Sequence, residues 1–116
     1  MTEIDLTELS ARLDRVRVVD VRQPEEYEGT LGSACDPRQG HIPGAVNIDL
    51  QELLALTEDE LRRRLDVAEG GEVVCYCHSG SRSALAVQVL RRFGYEARNY
   101  GGSWHEWSRT ELPVET

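Results

Sequence analysis

The sequence predicts an α/β fold, a parallel sheet of about five strands with helices on both faces. Short β-branched runs alternate along the chain with segments of helical periodicity, which is the pattern of crossover connections. Val73-Val74-Cys75-Tyr76-Cys77 is a compact apolar run, as expected of a strand covered on both faces. At 116 residues, with 40% hydrophobic and 29% charged, the chain has the size and composition of one globular domain spanning 1–116. It contains no internal repeat and no low-complexity tract.

Taken in order, Ile4-Asp5-Leu6 leads into a helix whose stripe is Leu6, Leu9 and Leu13. Val16 to Val21 reads as a strand, ended by Arg22-Gln23-Pro24. Pro24 suits the first turn of a short helix through Glu25, Glu26 and Tyr27. Residues 29–39 form a loop rich in Gly, Ser and Pro that contains Cys35. Gly40-His41-Ile42-Pro43-Gly44 is a tight turn delivering a short strand, Ala45 to Ile48. His41 there reads as a hydrogen-bonded residue that holds the turn. Leu50 to Leu56 starts a helix, and Thr57-Glu58-Asp59-Glu60 is a capping box opening another, with Arg62-Arg63-Arg64 on its solvated face.

Gly70-Gly71 turns the chain into the Val73–Cys77 strand. Ser79-Gly80-Ser81 is loop chemistry, and from Arg82 onward Leu85, Ala86, Val89, Leu90 and Phe93 recur at helical spacing until Gly94. Tyr95 to Tyr100 gives the last strand. Ser103-Trp104-His105-Glu106 has the spacing of a second capping box, for a final helix carrying Trp107.

Net charge is -8, every basic side chain is an arginine, and the three cysteines include no Cys-x2-Cys pair. The acidic balance disfavours nucleic acid and anionic membrane as partners, and neither is expected. The cysteine pattern argues against a disulfide scaffold. With no signal peptide and no apolar run of membrane length, the chain is expected to be soluble and cytoplasmic.

Cys77 is the candidate nucleophile. It sits where a strand hands over to a helix N-terminus, whose unpaired N–H groups and positive dipole end favour thiolate over thiol. The loop His78, Ser79, Gly80, Ser81, Arg82 and Ser83 wraps around it, and converging amides there make an anion cradle. Arg82 adds a fixed positive charge at the far end of the loop. Asp20 and Arg22 are candidate supporting residues at a strand's C-terminal end, where open α/β sheets place their sites. A metal site from Cys75, Cys77 and His78, completed by Cys35, His41 or His105, is disfavoured. Successive residues of a strand point to opposite faces, which gives a poor tetrahedral bite.

Cys77-His78-Ser79-Gly80-Ser81-Arg82-Ser83 resembles the active-site loop of rhodanese-type sulfurtransferases. Asp20-Val21-Arg22 with Glu25-Glu26-Tyr27, Gly40-His41-Ile42-Pro43-Gly44-Ala45, and Tyr100-Gly101-Gly102-Ser103-Trp104-His105-Glu106-Trp107 are similar to three further motifs of that family, in the same order. The last of these, together with the 29–39 segment, is similar to the catalytic C-terminal domain of tandem thiosulfate and mercaptopyruvate sulfurtransferases, here standing alone. Two positions depart from it. Gly101 stands where those domains usually have an acidic or other residue, and Glu26 stands where many have a basic residue that helps bind substrate.

The resemblance implies a rhodanese-like fold and a persulfide on Cys77. Sulfane sulfur would pass from thiosulfate or a similar small-molecule donor to cyanide, a thiol or a thiol protein, without cofactor or metal. Related phosphatases hold phosphate in a loop one residue longer, and the six-residue ring from Cys77 to Arg82 suits a single added sulfur atom. Arg82 would orient the donor's anionic end or brace the loop. Two alternatives stay open: 3-mercaptopyruvate as donor, or a regulatory or sulfur-carrier module with little turnover. Cys35, near the substrate entrance in the tandem relatives, is a candidate second thiol that attacks the persulfide.

Overall fold

The computed structural model describes residues 2–67 and 70–116. Its strands are β1 (Glu3–Ile4), β2 (Arg17–Asp20), β3 (Val46–Asn47), β4 (Glu72–Tyr76) and β5 (Glu96–Tyr100). Its helices are α1 (Leu6–Ala11), α2 (Pro24–Glu28), α3 (Leu50–Ala55), α4 (Glu58–Leu65), α5 (Ser81–Arg92) and α6 (Ser103–Trp107). The strands form one sheet in the order β1-β5-β4-β2-β3, with every pairing parallel. Among the described residues no helix is long and apolar enough to cross a membrane.

β4 lies at the centre and shows why its sequence is apolar throughout. Val73, Cys75 and Cys77 pack into one core with Leu53 of α3, Leu61 and Leu65 of α4, and Ala86, Val87 and Leu90 of α5. Val74 and Tyr76 pack into the other, with Leu9 of α1 and Trp104 and Trp107 of α6. The period-two alternation of a strand thus serves two cores, and both faces of β4 are dry.

The capping box of α4 forms as its spacing predicts. The Glu60 amide donates to Thr57 Oγ1 at 3.2 Å, and the Thr57 amide donates to Glu60 Oε1 at 2.9 Å. The second capping box does not form. Ser103 adopts φ 53°, and its hydroxyl accepts from the Cys77 amide at 3.1 Å while donating to the Tyr100 carbonyl at 2.8 Å. Glu106 accepts instead from the Tyr100 hydroxyl at 2.7 Å. Ser103 is therefore a brace between the ends of β4 and β5, and the strained left-handed backbone is the cost of that position.

Leu85 also departs from expectation: it is 43% exposed, not part of the core stripe of α5. The buried face of that helix is Ser83, Ala86, Val87 and Leu90. Because Ser83 must face the sheet, Leu85 is turned roughly 200° away at about 100° per residue.

Candidate active site

The carboxyl ends of β2, β4 and β5 converge on Cys77, which follows β4 directly. Gly80 caps α5 in the left-handed region at φ 100°, and a Cβ there would meet the Gly101 carbonyl oxygen at 2.8 Å. Only glycine meets both conditions. The backbone bend at Gly80 turns its N–H back onto the Cys77 sulfur, at 3.0 Å. Two amides at the start of α6 hold the other side, from Trp104 to the Cys77 carbonyl and from His105 to the His78 carbonyl, both at 2.9 Å.

Cys77 is 1% exposed, so its sulfur lies on the floor of the loop. Burial alone pushes the thiol pKa up. Hydrogen bonds from the Ser83 hydroxyl and from the Ser83, Gly80 and Ser79 amides outweigh it and hold the pKa below the ordinary cysteine value. Cys75, two residues earlier, has burial without donors, and its thiol is pushed up to about 12. The contrast sets a thiol disposed to ionise, just past the end of β4, against one within the strand that is not.

The Ser83 hydroxyl has two acceptors for one hydrogen, Cys77 Sγ at 3.4 Å and Asn99 Oδ1 at 2.6 Å. The Asn99 amide nitrogen donates to the Gly80 carbonyl at 3.1 Å, which fixes its oxygen toward Ser83. The shorter bond goes to Asn99 when Cys77 is a neutral thiol, and ionisation of the sulfur makes it the better acceptor. Replacing Ser83 by alanine is expected to raise the Cys77 pKa. The midpoint of iodoacetamide reactivity against pH then moves up from the wild-type value, and an unmoved midpoint assigns the thiolate to the amides alone. Asn99 and Ser103 both serve the site and both escape sequence reasoning. The one available signal was a polar residue, Asn99, in an otherwise inward-facing strand position.

Other predicted site residues are placed as follows. Arg82 does not point at the sulfur; its Nη1 lies 3.2 Å from Glu26 Oε1, an acid at the first turn of α2. It lines a cleft of about 230 Å³ with Val21, Gln23, Asp49, Leu50 and Gln51. Asp20 and Arg22 form a buried ion pair, 0% and 1% exposed, with Arg22 Nη2 at 2.8 Å from Asp20 Oδ2. Arg22 also donates to the Gly40 carbonyl at 2.6 Å, and its guanidinium stacks near the rings of Trp104 and Tyr76. Tyr76 donates to Asp20 Oδ2 at 2.7 Å and accepts from the Ile42 amide at 3.0 Å. The pair thus ties β2, β4 and the Gly40–Ile42 turn together beneath the site and offers no free group to a substrate.

His41 stacks on the Tyr27 ring at 3.6 Å, with Nδ1 2.7 Å from the Tyr27 carbonyl oxygen, so it holds the turn. Ser79 and Ser81 belong to the loop, and Ser81 opens α5. Cys35 is exposed, and its sulfur lies 2.9 Å from Ser33 Oγ. Its neighbour Asp36 faces His78, with Oδ2 2.9 Å from Nε2.

Comparison with known proteins gives the same family from sequence and from shape. The profile of the rhodanese-like domain matches residues 5–110. The thiosulfate sulfurtransferase of Pseudomonas aeruginosa is 34% identical over 108 residues, which cover 84% of this chain and 39% of that protein. The sulfur carrier protein TtuD of Thermus thermophilus is 37% identical over 111 residues, covering 78% of this chain and 37% of the relative. A crystal structure of a probable thiosulfate sulfurtransferase superposes with a TM-score of 0.85 at 43% identity, over 99% of this chain and 48% of that one. The chain spans less than half the length of these relatives. On the extent of the profile match and on these identities, the chain belongs to the rhodanese-like domain family.

Proposed function

We propose that this domain transfers sulfane sulfur from thiosulfate to a thiophilic acceptor through a persulfide on Cys77. The observation that carries the reading is the Cys77 sulfur itself, held with a lowered pKa by hydrogen bonds from Ser79, Gly80 and Ser83 of the loop that follows it. The thiolate attacks the outer sulfur of thiosulfate, the sulfur–sulfur bond of the donor breaks, and sulfite leaves with the bonding pair. Cyanide or a thiolate then attacks the outer persulfide sulfur, and Cys77 leaves as thiolate. The amides of Ser79, Gly80 and Ser83 stabilise the negative sulfur at both stages. The six-residue loop from Cys77 to Arg82 suits a single added sulfur atom on Cys77 better than a tetrahedral group bonded to it.

Thiocyanate formation from cyanide, measured side by side with thiosulfate and with 3-mercaptopyruvate, tests the reading. Steady turnover that is faster with thiosulfate supports it. Faster turnover with 3-mercaptopyruvate reassigns the donor, and a single burst without turnover favours the carrier role borne by the name of the Thermus relative. The same assay tests the Arg82–Glu26 pair. Glu26→Gln keeps the first turn of α2 supplied with a capping side chain but removes a carboxylate and releases Arg82 toward an anionic donor. KM for thiosulfate is expected to fall by roughly 1.5- to 5-fold, the worth of one partly exposed ion pair. An unchanged KM assigns Arg82 to bracing the loop.

A further inference from the structure

Cys35, Asp36 and His78 bring one sulfur, one carboxylate oxygen and one imidazole nitrogen within 4.8 Å of one another. We propose that these three side chains form a zinc site on the rim of the loop that carries Cys77. Asp36 is the keystone. Its side chain is 1% exposed, yet among the described residues no donor meets Oδ2 in hydrogen-bond geometry. His78 Nε2 lies 2.9 Å away, but the two are not aligned for a hydrogen bond, and among the described residues the buried nitrogen makes no other. Two acceptors this close and out of water repel unless a proton or a cation lies between them, and a metal ion would take both lone pairs.

The surroundings hold these atoms in place. Arg109 Nη1 donates to Asp36 Oδ1 at 3.1 Å, leaving Oδ2 as the coordinating oxygen, and Nη2 donates to the Cys35 carbonyl at 2.7 Å. Arg38 is fixed by the carbonyls of Trp107, Ser108 and Thr110, and its own carbonyl accepts from the Trp104 indole at 3.0 Å. The 33–39 loop is therefore docked on α6, and the His105 amide pins the His78 backbone from the same helix. Such bracing around the ligands is what tunes and preorganises a metal centre.

The donor set selects the ion. A thiolate, an imidazole and a carboxylate together suit zinc, whose three-ligand sites keep a fourth position open. His105 stands at that side, its Nδ1 4.0 Å from Asp36 Oδ1. Binding releases the Cys35 thiol proton to solvent, and the ion keeps its charge state throughout. Because Asp36 and His78 are 42 positions apart, the ion would clamp the 33–39 loop to the loop around Cys77. This proposal does not rest on the sulfur-transfer reading.

The test uses cobalt(II) as a spectroscopic stand-in for zinc, with reduced protein carrying Cys77→Ser so that the nucleophile cannot supply the thiolate. Cys75 is 0% exposed and cannot reach an ion at the rim. A thiolate-to-cobalt charge-transfer band at one equivalent, bleached by added zinc, is the expected result. The further change Cys35→Ser should abolish the band, and Asp36→Asn should weaken binding by more than about tenfold, the lower bound for disturbing even an outer partner of a metal. No band, or a band that survives Cys35→Ser, overturns the site. Should Asp36→Asn fail to fold, the exposed Cys35 position alone decides.

Discussion

Cys77→Ser is expected to reduce thiocyanate formation to the level of the protein-free reaction while leaving the fold in place. A serine hydroxyl fills nearly the same volume and still accepts the Gly80 amide, so neither core loses packing. It cannot carry sulfane sulfur, because its oxygen is neither ionised at neutral pH nor able to form a stable bond of the persulfide type. The urea midpoint should stay close to wild type, and the circular dichroism spectrum should superpose. Activity above a tenth of wild type in a folded Cys77→Ser protein would remove the residue from the reaction.

Asp20→Ala should have the largest effect on stability. The carboxylate accepts from the Arg22 amide at 2.9 Å, from Arg22 Nε at 3.0 Å and from the Tyr76 hydroxyl at 2.7 Å, all out of water. Burial by itself lowers the pKa of the Arg22 guanidinium, and the bonds to Asp20 reverse that and raise it. Removing Asp20 leaves a buried charge unpaired and the Tyr76 hydroxyl without its acceptor. Breaking one side of such a pair costs about 3–5 kcal/mol, a large share of the roughly 5–15 kcal/mol that holds a domain together. Equilibrium urea unfolding measures it. A loss under about 1 kcal/mol would show that the pair contributes no more than an exposed one.

What the sequence made legible was local or periodic. Val73 to Cys77 announced a strand with two dry faces, Thr57 to Glu60 announced a cap, and Cys77 before Gly80 announced a strand-to-helix elbow. Sheet order was out of reach, since it depends on which apolar runs pair across long separations. Ser103 shows how a correct spacing misleads. Its Ser-x-x-Glu pattern fits a cap, but the same hydroxyl is claimed by the Cys77 amide 26 positions away. Tertiary bonding overrode the local signal.

The candidate site divides the same way. Cys77 and its loop were legible because the candidate thiol, the glycine and the helix start are contiguous. The Glu26 partner of Arg82 and the Asn99 partner of Ser83 are 56 and 16 positions distant. Asp20 and Arg22 read as charged residues near a site, whereas their partners Tyr76 and Gly40, which make them structural, come from other segments. Cys35 drew notice as a thiol in a loop. That its neighbour Asp36 would be buried against His78 depends on the docking of the whole 33–39 segment onto α6, which no spacing encodes.

The measurement that bears most directly on the central claim is the mass of the protein after exposure to thiosulfate and removal of the donor. One added sulfur atom per chain, found on the peptide containing Cys77 and lost on adding cyanide with one equivalent of thiocyanate formed, is the predicted result. An unmodified Cys77, or an added sulfur residing on Cys35 in the wild-type protein, would contradict it.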